Sequence, residues 1–468
     1  VIVPFASQSY KSRALPLSAQ QVLNFYLEKE PGDAKSPAAL FGAPGLTQFA
    51  DVGIGPVRAM HVMGGLLYAV ANHSLYSISS TGAVITLGTG IGGTNNVSMA
   101  NNGMQLVIVN GISGYIYSTA GGFSVITSPN FFPAATVTFF DQYFVFDRLG
   151  TNQYFISGIL DGTSYNALDF ASAEVDPDYV LSIVNQQENL LIFGAHTIET
   201  WFDSGAANFP FQRVDGATIQ RGCAAALSPI KEDNAVFFLG DDLIFYRLDG
   251  IFIRRVSTHA IEHAWQGYTT VSDAFTFSYT YEGHKFVVLT FPAQSATWVF
   301  DISTNLWHER DSWDPNNENL SRWRGNCFAS VYNKLLIGDQ FSGKVGYLDS
   351  STYTEFGNTI RGLLTSPIIH SDRKRVYISR FELDIESGIG NTTDPASDPQ
   401  IMLDWSDDGG RTFSELQLWN SMGKLGAYRQ RLRWLRQGQS RNRIYRVVVS
   451  DPVKRSIIAA HADLEVGM

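Results

Sequence analysis

Leu66-Leu67-Tyr68-Ala69-Val70, a turn, then Ser74-Leu75-Tyr76: this stretch decides how the chain folds. A β-branched and aromatic run, a tight turn and a second short run with an aromatic residue make a hairpin. The figure returns as Gln105-Leu106-Val107 with Gly114-Tyr115-Ile116, and as Asn189-Leu190-Leu191 with Glu199-Thr200-Trp201. It returns again as Ala235-Val236-Phe237 with Leu243-Ile244-Phe245, and as Lys334-Leu335-Leu336 with Lys344-Val345-Gly346. Asn102-Gly103, Asp161-Gly162 and Asp249-Gly250 are turn pairs whose residues tolerate positive φ. Units open near Val57, Asn95, Ala134, Tyr179, Cys223, Asp273 and Arg324, at spacings of about 38 to 51 residues. That is close to the period of roughly 40–50 residues that marks propeller blades.

The expected fold is therefore all-β. A β-propeller of six or seven blades spans 57–359, an extended N-terminal arm covers 1–56, and a C-terminal β module covers 360–468. Radial stacking hides both faces of each small sheet, which a long chain without helical cover requires. Stacked β-sandwiches give similar turn spacing and stand as the alternative fold. The arm is broken by Pro31-Gly32, Pro37 and Pro44-Gly45, so it needs a neighbouring surface to order it. Only Ser18–Leu27 and His259–Trp265 offer short amphipathic helices. In the C-terminal module the expected strands are Arg375–Ile385, Gln400–Trp405, Arg431–Trp434 and Arg443–Val449, and Ser387–Pro399 reads as a mobile loop.

Composition narrows the class. Sixty aromatic residues (31 Phe, 20 Tyr, 9 Trp) among 468 argue against disorder. Two cysteines, Cys223 and Cys327, are too few to staple a chain of this length, so reduced thiols and folding inside a cell are expected. Val1 to Tyr10 lacks the basic-then-apolar pattern of a secretory signal, and no apolar run is long enough for a spanning helix. The net charge of −10 hides an asymmetry. From Arg361 onward 16 Lys/Arg face 13 Asp/Glu, a net of +3, whereas the preceding residues hold 18 against 31, a net of −13. Such a division points to different partners for different faces.

The sharpest short motif is Ser406-Asp407-Asp408-Gly409-Gly410-Arg411-Thr412-Phe413, which matches the S-x-D-x-G-x-T-F pattern of an Asp-box. Its chemistry is local: Ser406, Asp408 and Thr412 supply polar groups, Gly410 the positive φ, and Phe413 an anchor in the sheet. It is read as a folding device. No nucleophile elbow, phosphate loop, H-E-x-x-H or C-x-x-C pair occurs, so no catalytic residue, metal ligand or cofactor is assigned. His259 and His263 share one face of a helical turn but lack a third ligand. The functional candidate is a basic run free of acids: Lys424, Arg429, Arg431, Arg433, Arg436, Arg441, Arg443 and Arg446. Tyr428, Trp434 and Tyr445 interleave with it. Arg429, Arg431 and Arg433 at alternate positions would share one strand face, suited to phosphates or to acidic groups across a subunit interface. A tight free-standing nucleic-acid binder is at odds with the overall acidity.

The segment Asn24-Phe25-Tyr26-Leu27-Glu28, Gly32-Asp33-Ala34-Lys35-Ser36-Pro37 and Leu40-Phe41-Gly42-Ala43-Pro44-Gly45-Leu46 resembles the start of the packaged-DNA stabilisation proteins of short-tailed, P22-like bacteriophages. The likeness continues through Arg58-Ala59-Met60 and the Asp-box. The resemblance implies a non-enzymatic virion tail protein, a nozzle or hub assembled in the host cytoplasm. It would form a homohexameric ring below the portal adaptor, retain the double-stranded DNA that passes through its lumen, and dock a tail fibre, tailspike or needle without membrane insertion. A neighbouring subunit or the adaptor above it would also supply the surface that orders the arm. A carbohydrate-active or glycan-binding propeller, sialidase-like or adhesin, is the competing reading. It calls for an Arg cluster and a Tyr/Glu or Asp pair at the propeller centre.

Overall fold

In the computed structural model the structure describes residues 2–3, 5, 7–173, 178–206 and 209–467. Val1, Pro4 and Ala6 of the expected arm, and Met468 of the C-terminal module, lie outside them. The fold is all-β, with one α-helix, His259–Gln266, among the described residues.

Strand pairing makes seven four-stranded antiparallel blades, the higher of the two expected counts. Blades 1 to 6 occupy residues 57–89, 98–125, 137–172, 180–213, 230–255 and 275–314. Blade 7 takes three strands from 325–349 and its outermost from Gly45–Asp51, which runs antiparallel to Lys344–Asp349. The N-terminal strand thus locks the last blade and closes the circle.

Seven apolar clusters show why the blades stack. Alternate residues of one strand point to opposite neighbours. In Gln105–Val109 of blade 2, Leu106 and Ile108 pack towards blade 1, while Val107 and Val109 pack towards blade 3. In blade 4, Leu190 and Ile192 face blade 3, and Leu191 and Phe193 face blade 5. The cluster that closes the circle joins Val57 and Leu67 of blade 1 to Leu336 and Val345 of blade 7. The helix inserts Trp265 between blades 5 and 6, against Phe291, Trp298 and Trp307.

The C-terminal residues build a two-sheet sandwich, completed by the N-terminal segment. One sheet runs Leu432–Leu435, Val376–Ile385, Ser456–Val466, Ala38–Gly42, Phe25–Lys29. The other runs Val22–Leu23, Gly362–Thr365, Ile444–Val449, Gln400–Ser406, Leu418–Ser421. Phe25, Phe381, Trp434, Tyr445 and Val447 fill the space between them. Residues 1–56 were expected to need an outside surface; the strands within them find their partners inside the chain. Ser18–Leu27 is not a helix but three short strands. Val22, Leu23, Phe25 and Tyr26 are buried towards different neighbours, and Asn24 stands at φ 55. The 387–399 loop, expected to be mobile, is packed down: Ala396 lies in the sandwich core, and Gly388 donates to the Met422 carbonyl at 3.1 Å.

Sandwich and propeller are joined by a continuous sheet and by buried charge. Leu23 pairs in parallel with Glu309 on the outer strand of blade 6. The Asn24 amide donates to Asp311 Oδ1 at 2.6 Å and to the Arg361 carbonyl at 2.9 Å, and Arg361 reaches Asp311 Oδ2 at 2.8 Å. Arg455, wholly buried, donates to the carbonyls of Ile360 (2.8 Å) and Ala43 (3.2 Å), and burial lowers its pKa to about 10.

Candidate functional site

The seven inner strands enclose a cavity of about 540 Å³ on the propeller axis. Apart from Arg58 and Lys231 its wall is uncharged, with Ser98, Thr138, Ser182, Asn185 and Thr276 set among Val137, Ile183 and Phe277. His61 Nε2 lies 2.6 Å from the Asn101 amide nitrogen, and burial pushes the imidazole down to about 4. Lys231 Nζ donates to Asn185 Oδ1 at 2.7 Å, and its pKa is lowered by desolvation. Arg58 reaches the wall, but its guanidinium is spent on the carbonyls of Asn95, Asn72 and Gly92 at 2.6, 2.8 and 2.9 Å. Among the described residues no carboxylate lines this cavity. Glycoside hydrolysis needs two carboxyl groups flanking the bond, and the sialidase-like reading adds an Arg cluster; the lumen supplies neither.

The Asp-box closes the hairpin between Gln400–Ser406 and Leu418–Ser421, in the sandwich. Ser406 Oγ donates to Asp408 Oδ1 at 2.7 Å, and the Thr412 hydroxyl donates to Oδ2 at 2.7 Å. The N–H groups of Arg411 (2.9 Å) and Thr412 (3.0 Å) complete the shell of Asp408. These bonds, those of Thr412 and Ser406 first, hold the Asp408 carboxyl below its ordinary range. Gly410 stands at φ 88, where a Cβ would come within 2.5 Å of Ala19 Cβ. Phe413 lies under the Arg446 guanidinium, 3.9 Å from ring centre to Cζ.

The basic run divides into two groups. Arg443 is buried and forks onto Asp407 at 2.5 and 2.9 Å, with a third bond to the Gln437 carbonyl at 2.7 Å. Arg446 forks onto Asp404 at 2.9 and 2.5 Å. Both are structural within this chain. Arg431 is exposed but paired with Glu382 at 2.7 Å. Lys424, Arg429, Arg433, Arg436 and Arg441 are exposed, and none has an ion-pair partner among the described residues. The expected shared strand face is shorter than the spacing implied. The strand is Leu432–Leu435, with Leu432 and Trp434 in the core and Arg433 outward, while Arg429 and Arg431 precede it.

This strand is a sheet edge, paired on one side only with Val376–Ile385. The Asn420 amide donates to the Arg433 carbonyl at 3.2 Å, and Trp434 Nε1 to the Leu418 carbonyl at 3.1 Å, which brings Leu418–Ser421 of the other sheet alongside. The result is a ledge where the free cations stand among open apolar side chains: Trp419 (60 % exposed), Leu425 (65 %), Tyr428 (74 %) and Leu435 (65 %). Trp419 and the two leucines were not singled out from sequence. An exposed aromatic is visible only once the strand phase is known, and Trp419 stands beside a half-buried Leu418 on a strand with no clear alternation.

The family model described as the β-propeller of bacteriophage P22 Gp10 matches residues 20–353, and that described as the β-sandwich of P22 Gp10 matches residues 362–465. The tail hub protein gp10 of Salmonella phage P22 is 22% identical over 330 residues, 67% of this chain and 67% of its own length. Among solved structures, the computationally designed Ika8 protein superposes with a TM-score of 0.39 at 13% identity, over 70% of this chain and 99% of its own. PorZ of Porphyromonas gingivalis gives 0.37 at 10% identity, over 80% of this chain and 46% of its own. At such scores neither bears on the argument.

Proposed function

The chain belongs to the bacteriophage P22 Gp10 family, propeller and sandwich both, and from that premise we propose that it is a structural building block of a virion tail. Assembled in the host cytoplasm, six copies form a ring below the portal adaptor. The ring extends the DNA channel, holds the packaged genome and docks a fibre, spike or needle. The observation that supports this reading best is the rigid joint of the two domains. A sheet shared through Leu23 and Glu309, and the buried Asn24–Asp311–Arg361 cluster, fix the sandwich on the propeller as one body. A wall needs that stiffness.

The cavity of about 540 Å³ inside one propeller is far too small for duplex DNA, whose major groove alone is about 12 Å wide. The DNA channel therefore lies between subunits, not through a propeller. The free cations of the ledge serve either that channel or a subunit contact. Electron microscopy of the purified protein and of virions tests the reading. A six-fold tube below the portal is expected; particles whose tails hold no ring of this protein would overturn it.

A further inference from the structure

Within about 20 residues, the ledge exposes four cations without an ion-pair partner among the described residues, Lys424, Arg429, Arg433 and Arg436, together with Trp419 and Tyr428. Tryptophan, tyrosine and arginine are the side chains that dominate protein–protein contact energies. Leu425 and Leu435 stand equally open. Phosphate contacts draw on charged and polar donors, so tracking the DNA backbone leaves apolar side chains of this size in water. A protein surface buries them. A positive patch cannot be self-complementary, because a two-fold contact would set like charges against each other. Its partner surface is a different one, and such head-to-tail contacts between identical chains close into a ring when the rotation they impose divides the circle.

The same chain carries the opposite charge elsewhere, a net of −13 over the residues before Arg361. One unpaired acidic group lies at the rim of blades 3 and 4: the Tyr143 ring packs 5.9 Å from Phe211, the strand partner of Asp203, and Asp141, Asp169 and Asp203 act on Tyr143 together. No cation pairs with any of the three among the described residues, and the hydrogen bond shared with Asp203 raises the Asp141 carboxyl above its ordinary value. Phe170 and Phe202 lie partly open beside them. We propose that the basic, aromatic ledge of the sandwich docks on the acidic propeller rim of a second copy of this chain; the inference rests on the ring reading above.

Sedimentation velocity on the full chain tests it, with the variants R429E/R433E/R436E, D141K/D203K and their combination. Near-ultraviolet circular dichroism checks that each is folded, which surface substitutions leave intact. Reversing the ledge is expected to weaken self-association at least tenfold, and the combined charge swap to restore it. Raising salt weakens the wild-type assembly, as for any exposed charge contact. Trp419→Ala with Tyr428→Ala, which leaves the charge unaltered, is expected to weaken association too. A ledge variant that assembles like wild type overturns the inference and leaves the ring reading standing. Unchanged assembly with lost binding to a double-stranded DNA fragment overturns it in favour of phosphate contact. Loss without rescue by the swap removes the blade 3 and 4 rim as the partner. A wild-type chain that stays monomeric at every concentration, and is absent as a ring from virions, overturns both.

Discussion

Arg324 Nε and Nη2 meet Asp339 Oδ1 and Oδ2 at 3.0 and 2.8 Å, and both side chains are out of water. Removing one partner of such a pair strands the other, which costs about 3–5 kcal/mol. Arg324→Ala is expected to lose that much in urea unfolding; a loss under ~1 kcal/mol would show that Asp339 is satisfied without it. Buried histidines contribute to the pH response. Burial depresses His61 to about 4 and His308 to about 3, so both stay neutral when folded. Unfolded, they bind protons below about pH 6.5. Their contribution is full above that pH and is lost as pH falls towards the depressed values. His284 has the opposite sign. Its bond to Asp301 (2.7 Å) raises it, so its contribution is full below about 6.5 and is lost as pH rises through the raised value. Urea midpoints should therefore fall between about pH 6.5 and 4, and less steeply in His61→Gln. An identical slope in that variant would refute the assignment to His61. The Asp-box was readable beforehand because its bonds span at most four residues. Arg443 and Arg446 were not, because Asp407 and Asp404 lie 36 and 42 residues away and only strand register brings them near.

Strands follow the same division between local and remote. Leu106 to Val109 alternate between two neighbouring clusters, and that period of two, with turns at Gly103 (φ 90) and Gly250 (φ 63), is written in the sequence. The closing strand Gly45–Asp51 carries no such mark. Thr47 meets Asp349 across a separation of 302 residues, and a Pro- and Gly-rich segment reads as a loose arm until its partner is known. Leu46 on that strand is buried with Phe277, Trp323 and Ile337. If closure is a full part of the core, Leu46→Ala should cost about 2–5 kcal/mol, as for an interior leucine such as Leu106. Thermal or urea unfolding of the two variants side by side decides it. A cost for Leu46→Ala well below that of Leu106→Ala would make the closing strand peripheral.

At the scale of the molecule, the two domains are not two modules in series. The sheet that holds Val376–Ile385 and Ser456–Val466 continues through Ala38–Gly42 to Phe25–Lys29, and Val22–Leu23 borders Gly362–Thr365 in the other. Phe25 and Leu40 sit within the sandwich core itself, and Arg455 bonds Ala43 across a separation of 412 residues. Cut after Thr359, the C-terminal piece would lose a strand pair from one sheet and an edge from the other. Phe381, Tyr445 and Ile457 would then face water, and buried polar groups such as Arg455 would be stranded, each a cost of several kcal/mol by itself. Residues 360–468 expressed alone are therefore expected to give no dispersed amide spectrum. A fusion that restores residues 18–44 ahead of them, through a flexible linker, should give a folded sandwich. A dispersed spectrum from the shorter piece would mean that the N-terminal strands are additions to a self-sufficient sandwich. In that case the stiffness on which the tail reading leans would come from the Leu23–Glu309 bridge and the Asn24 cluster alone.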